Sequence, residues 1–259
     1  MTAALVTGAG KRIGRELALC LAEQGYDVAL HYNSSSTGAD EAATEITAMG
    51  RKAVTLQADL LDDTQSAALL PRAVEALGAP ITVLINNASI FEYDTLETAT
   101  AETWDRHIGS NLRAPFLLSQ AFAAQNLRAD KTEDGEPLAT GLIVNIVDQR
   151  VQKLTPEFMT YTISKMGLWA FTQTAARALA PAVRVNAIGP GPTLKGGRQS
   201  KQHFDAQRKN TVLGRGSDPS DIAASLVYLL SARAVTGQLI CVDGGQHLGW
   251  ETPDVIGVE

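Results

Sequence analysis

The sequence predicts an α/β fold built on a doubly wound parallel sheet of about seven strands with helices on both faces. Short runs rich in Val, Ile, Leu and Ala recur at 3–7, 27–32, 53–57, 81–86, 142–147, 183–188 and 238–242. Their near-continuous apolar character suits parallel strands buried on both faces. Longer amphipathic stretches fall between them, near 12–24, 38–49, 63–77, 101–126, 157–180 and 219–231. Strands that alternate with helices in this way read as βαβ units.

The first strand runs directly into Thr7-Gly8-Ala9-Gly10-Lys11-Arg12-Ile13-Gly14, and a helix follows. Glycines at that place permit a tight turn and let backbone approach a pyrophosphate at a helix N-terminus. Any strand-to-helix turn can need glycine for a positive φ. The position after the first strand of a βαβ chain favours the nucleotide reading. The second strand ends His31-Tyr32-Asn33-Ser34-Ser35-Ser36, with no Asp or Glu to bind a ribose 2′-hydroxyl. Amide and hydroxyl groups beside Lys11 and Arg12 would suit a 2′-phosphate. The alternative is an ordinary Asn/Ser turn and helix cap.

Further along, residues 129–140 are charged and turn-rich and read as a solvated loop. Residues 190–217 carry Pro190, Gly191, Pro192, Gly196 and Gly197 before a basic, polar stretch. That segment is either a substrate loop closing over a site or a plain surface insertion. Neither resembles an interdomain linker, so residues 1–259 are expected to form a single domain. A tail over 249–259 runs past the last strand, reaching a neighbouring subunit or standing free.

Composition narrows the function. The chain has 259 residues, 45% hydrophobic, and a net charge of −6, which argues against a nucleic-acid partner. Cys20 and Cys241 are too few for a disulfide framework or a zinc site, and no histidine spacing suggests a metal. No apolar run approaches the roughly 20 residues of a membrane span. Because residues 1–7 already read as a strand, no signal peptide is expected and a cytoplasmic setting is the simplest one.

Tyr161-Thr162-Ile163-Ser164-Lys165 lies near the start of a helix that Thr155 and Pro156 would open. The i, i+4 spacing puts phenol and ammonium on one helix face. An adjacent ammonium should lower the Tyr161 pKa and make it a usable proton donor.

TGAGKRIG, Asp59-Leu60, Asn86-Asn87-Ala88-Ser89, Asn111, YTISK, Pro190-Gly191 and Val242-Asp243-Gly244-Gly245 follow one another in order. Together they resemble the short-chain dehydrogenase/reductase family over about residues 3–245, which implies a Rossmann-type sheet. The resemblance implies that Tyr161 and Lys165 are catalytic, that Lys165 also binds the nicotinamide ribose, and that Asn111 holds a water in a proton relay. It further implies cofactor contacts from Gly8, Arg12, Ile13 and Gly14, and from Tyr32, Asn33, Ser34 and Ser35. Asp59 and Leu60 would flank adenine, while Asn87, Ala88, Ser89, Pro190, Gly191 and Thr193 would line the rest.

Departures from the usual family pattern narrow the choice. Arg12 replaces the middle glycine of the turn, Ser89 replaces the glycine of NNAG, and Asp148 stands 13 residues before Tyr161 in place of serine. With His31-Tyr32, these resemble the pteridine reductase branch, which includes dihydromonapterin and dihydrofolate reductases. Reducing a pterin C=N bond places hydride on carbon and requires a proton for ring nitrogen. An Asp with a raised pKa in a dry pocket could supply it. Asp148 could instead cap a turn or pair with Arg150. Phe91 would stack the pterin, or be a core aromatic.

The expectation is therefore an NADPH-dependent reductase of a pterin-like small molecule, homotetrameric by resemblance. The alternatives are a carbonyl or 3-oxoacyl reductase and a non-catalytic NADP-binding regulatory protein.

Overall fold

The computed structural model describes residues 2–197 and 199–250. The expected tail from 251 onward lies outside the described residues. Seven parallel strands form one sheet: β1 (Ala3–Val6), β2 (Asp27–Tyr32), β3 (Ala53–Gln57), β4 (Ile81–Asn86), β7 (Gly141–Ile146), β8 (Val183–Pro190) and β9 (Leu239–Val242). Their order is β3-β2-β1-β4-β7-β8-β9. The chain reverses its winding between β1 and β4, so a crevice opens at the carboxyl ends of those strands.

The helices are α1 (Arg12–Glu23), α2 (Ser36–Ala48), α3 (Asp63–Leu77), α4 (Ala101–Ile108), α5 (Ala114–Ala124), α6 (Met159–Ala178), α7 (Lys201–Lys209) and α8 (Pro219–Ser231). Alternate residues of β1 serve opposite layers. Ala4 and Val6 pack with α1 and α8, whereas Ala3 and Leu5 pack with α3, α5 and α6. That division follows from the two-residue repeat of a strand. Among the described residues no helix is long and apolar enough to cross a membrane.

Four expectations need correction. The helix anticipated over 101–126 is broken by a π turn at Gly109–Arg113, where the Ala114 amide bonds to the Gly109 carbonyl. Pro115 has no amide to donate to the Asn111 carbonyl, so the regular i→i−4 ladder cannot close there. Thr155 and Pro156 do not open α6, which begins at Met159 after Phe158 in a left-handed conformation (φ 56°). Within 129–140 a short hairpin forms from β5 (Asp130–Lys131) and β6 (Pro137–Leu138). Within 190–217, α7 forms although none of its residues is buried; Ser200 caps it by accepting from the His203 amide.

Candidate active site

A cleft of about 1200 Å³ lies at the carboxyl ends of the strands. Every site residue expected from the sequence lines it, with the exception of Asn111.

At one end is the glycine turn. Gly8 has a positive φ of 66°, and a Cβ on Gly14 would stand 2.2 Å from the Gly8 carbonyl oxygen. The first turn of α1 therefore packs onto the turn as closely as backbone allows. Asn87 donates from its side-chain amide to the carbonyls of Thr7 (2.8 Å) and Gly8 (3.3 Å), while the Thr7 hydroxyl accepts the amides of Asn87 and Ala88. Helix α1 starts without a side-chain cap and without an acid in its first turn.

Arg12 takes the left-handed conformation (φ 56°) usually left to glycine. Its guanidinium turns outward and donates to the carbonyls of Leu194 (3.0 Å) and Lys195 (2.9 Å). It thus ties the glycine turn to the loop after β8. Thr193 faces the protein interior, hydrogen-bonded to Ser217 and Gly191. Asp59 spends a carboxylate oxygen on the Leu61 amide, and its own amide donates to Gln65. Tyr32, Asn33, Ser34 and Ser35 edge the same end of the cleft, near Lys11.

Sequence reasoning gave no role to His31. This buried ring accepts from the Gly8 amide at Nδ1 (3.0 Å) and faces the Ala58 carbonyl at Nε2 (3.1 Å). Those partners require the neutral Nε2-protonated tautomer. Burial lowers its pKa to about 4. In the sequence His31 counted only as part of the His31-Tyr32 pair that resembles the pteridine reductase branch, and nothing local showed its contacts with Gly8 and Ala58.

The other end holds Asp148, Tyr161 and Lys165. Asp148 Oδ1 accepts the Arg150 amide (2.8 Å), and Oδ2 accepts the Tyr161 phenol (3.0 Å). The carboxyl is both a turn cap and a partner of the phenol. Burial raises the Asp148 pKa above the ordinary carboxylate value, against the opposing pull of Arg150, Tyr161 and Lys165.

Tyr161 departs from expectation: its pKa is raised well above 10, by burial first and by the Asp148 charge second. The anticipated lowering by Lys165 does not occur. The ammonium donates to the Ile146 carbonyl (2.8 Å) and stands 5.7 Å from the Tyr161 ring centre. Burial lowers Lys165 itself to about 8.

Phe91 forms the wall beside the phenol. Its ring, 49% exposed, stacks on Phe158 (4.5 Å between centres) and meets Tyr161 edge-on (4.6 Å). Arg150 lies over the far ring, 5.0 Å from the Phe158 centre, and donates to the Thr155 hydroxyl. Phe158 was not singled out from sequence, and Arg150 was considered only as a partner of Asp148, because each acts here through a contact with another segment. Asn111 lies outside the cleft wall. Its side chain pairs with both backbone groups of Ile90 and donates to Ser164, so it holds the segment that leads to Phe91.

Residues 8–247 match the family model described as enoyl-(acyl carrier protein) reductase. The chain is 33% identical to the 3-oxoacyl-[acyl-carrier-protein] reductase FabG of Staphylococcus epidermidis, an alignment that covers 95% of this chain and 98% of that protein. It is 40% identical to the FolM alternative dihydrofolate reductase 1 of Brucella suis, solved in complex with NADP, with a TM-score of 0.90 and 98% of both chains covered. A short-chain dehydrogenase of Burkholderia cenocepacia, also solved with NADP, aligns at 31% identity and a TM-score of 0.84, covering 94% of this chain and 96% of its own. With the parallel sheet, the glycine turn and the Tyr161–Lys165 pair, these likenesses make the chain an oxidoreductase of the short-chain dehydrogenase/reductase family.

Proposed function

We propose that the enzyme is an NADPH-dependent reductase that transfers hydride to a C=N bond of a pterin-type substrate, taking a dihydropterin to a tetrahydropterin. The observation that carries this reading is Asp148. A carboxyl with a raised pKa lies 3.0 Å from the Tyr161 phenol, where a carbonyl reductase of the family would present a serine hydroxyl. The Brucella suis neighbour, described as an alternative dihydrofolate reductase, supports the same substrate class.

The cleft fits the cofactor. The contact between Gly14 and Gly8 clears backbone at the start of α1, whose uncapped amides suit a pyrophosphate. Lys11, Asn33, Ser34 and Ser35 would hold the 2′-phosphate, with no acid at the end of β2 to repel it. NADPH supplies the hydride. Lys165 spends one donor on Ile146 and keeps others for the nicotinamide ribose.

The proton comes from the chain itself. Asp148 gives its proton to the ring nitrogen, and the Tyr161 phenol, already donating to Oδ2, replaces it. The Lys165 ammonium steadies the negative charge left behind. Phe91 offers a flat face to a bicyclic ring, and a cleft of about 1200 Å³ has room for that ring beside a dinucleotide. A homotetramer, expected from the family resemblance, and a cytoplasmic setting, expected from the low cysteine content and the strand-like first residues, complete the proposal.

The Staphylococcus epidermidis relative favours a second reading, a 3-oxoacyl or other carbonyl reductase in which Asp148 only caps its turn. Asp148→Asn separates the two. Asn keeps an oxygen for the Arg150 amide but has no carboxyl proton to give. Under the pterin reading, kcat/KM for dihydrobiopterin, dihydromonapterin or dihydrofolate falls by about 10²-fold or more, with NADPH affinity unchanged. Asp148→Ser should lose pterin reduction equally and gain activity on a small ketone. Native pterin turnover in Asp148→Asn would remove the pterin mechanism.

A further inference from the structure

The helix carrying Tyr161 and Lys165 has no cap of its own. Phe158 precedes it in a left-handed conformation and supplies no capping side chain. The cap arrives instead from the segment after β4. The Asp94 carbonyl accepts the Phe158 amide (2.8 Å), Asp94 Oδ1 accepts the Thr160 amide (3.2 Å), and Oδ2 accepts the Thr160 hydroxyl. An acceptor at a helix N-terminus satisfies amides that the helix itself leaves unpaired.

The chain of contacts continues into α4. His107 Nε2 accepts the Glu92 amide (3.1 Å), so Nδ1 carries the proton and donates to the Thr160 hydroxyl (2.7 Å). That hydroxyl has one proton, which it gives to Asp94. The direction is therefore set throughout, from His107 to Thr160 to Asp94. All three side chains are buried, at 0%, 3% and 1% exposure. None of the three lines the cleft. The segment that supplies Asp94 also bears Phe91, which stacks on Phe158 and touches Tyr161. The His107 ring also meets Tyr161 edge-on, 5.9 Å between centres.

We propose that Asp94, Thr160 and His107 are positioning residues that fix where α6 begins and thereby hold the Tyr161 phenol in register with Asp148 and Phe91. Losing the hydroxyl link loosens the first turn of α6, and a phenol displaced by a fraction of an ångström transfers its proton less often. The inference rests on Tyr161 as proton donor and is independent of which substrate is reduced.

Thr160→Val keeps the shape and removes the hydroxyl, whereas Thr160→Ser keeps the hydroxyl. With dihydrobiopterin as the probe, or a small ketone where the native enzyme reduces only that, Thr160→Val should lower kcat about tenfold while KM and the NADPH Kd, read by fluorescence titration, stay within twofold. Thr160→Ser should return kcat to within twofold of native. Asp94→Asn is a second arm that keeps an oxygen for the Thr160 amide but presents an amide group to the hydroxyl; it should lower kcat in the same selective way. Native kcat in Thr160→Val overturns the proposal, as does equal damage from Ser and Val or a parallel loss of NADPH affinity. Should Thr160→Val fail to fold, Asp94→Asn with native kcat overturns it. Tyr161→Phe is the control. An active Tyr161→Phe defeats the proton-donor reading itself, whereas an inactive one beside native Thr160 variants defeats only the network.

Discussion

The two ends of the cleft are built in opposite ways. At the glycine-turn end, Thr7, His31 and Asn87 spend their hydrogen bonds on main-chain groups, and each partner is fixed by the run of a strand. At the Asp148 end, side chains meet side chains: carboxyl with phenol, guanidinium over phenyl, phenyl on phenyl. A backbone-built end keeps one geometry as long as His31 stays neutral. At the side-chain-built end burial moves Asp148, Tyr161 and Lys165 away from their ordinary pKa values, and the charges within the group then act on one another. Damage at the first end should therefore appear in binding and stability, and damage at the second in chemistry.

The largest expected effect is at the second end. Tyr161→Phe keeps the ring against Phe91 and removes the proton, so turnover should drop by about 10²-fold or more, as for loss of a general acid. NADPH binding, measured by fluorescence titration, should remain. A variant that loses binding along with turnover would break the division between the ends.

Next comes acid stability at the first end. His31 has a folded-state pKa of about 4 against an unfolded value near 6.5, so the unfolded chain binds the extra proton between those values. Stability from this group is complete above about pH 6.5 and is lost as pH falls towards 4, by about 3 kcal/mol in all. Urea unfolding at pH 7 and pH 4.5 should show that loss in the native enzyme and a smaller one in His31→Gln. Identical losses would show that the bridge between Gly8 and Ala58 does not carry it.

The smallest effect sharpens the first end. With Asn33, Ser34 and Ser35 in place of an acid, NADPH should exceed NADH in kcat/KM by at least about tenfold, or about 1.4 kcal/mol. Asn33→Asp should narrow the gap by repelling the 2′-phosphate. Equal use of the two cofactors by the native enzyme would contradict the reading of the β2 end.

Much of the frame was legible in the chain. All seven strands of the sheet were anticipated to within two residues at either end, because a buried parallel strand must be apolar on both faces and is bounded by turn residues. The glycine turn was legible for a similar reason: its function is backbone clearance, and clearance is written in residue type. The break at Gly109–Arg113 was less so, although Pro115 marked it; helical periodicity runs smoothly through a single-turn bulge. The start of α6 was misplaced because Thr155 and Pro156 look like a local cap, whereas the real one is Asp94, 66 residues from Thr160.

The sequence by itself determined the alternation of strand and helix, the glycine turn, the absence of an acid after β2 and the presence of Asp148, Tyr161 and Lys165. Each follows from periodicity or local residue type, which neighbours in the chain suffice to set. Only the tertiary structure decided that Arg12 would clasp Leu194 and Lys195, that Asp148 would divide its oxygens between a turn and a phenol, and that Tyr161 would rise rather than fall in pKa. Burial and a carboxylate at 3.0 Å both raise that pKa, the Arg150 charge opposes them, and the Lys165 ammonium is turned towards Ile146. Desolvation is a property of everything packed around a group, so no spacing along the chain could have decided it.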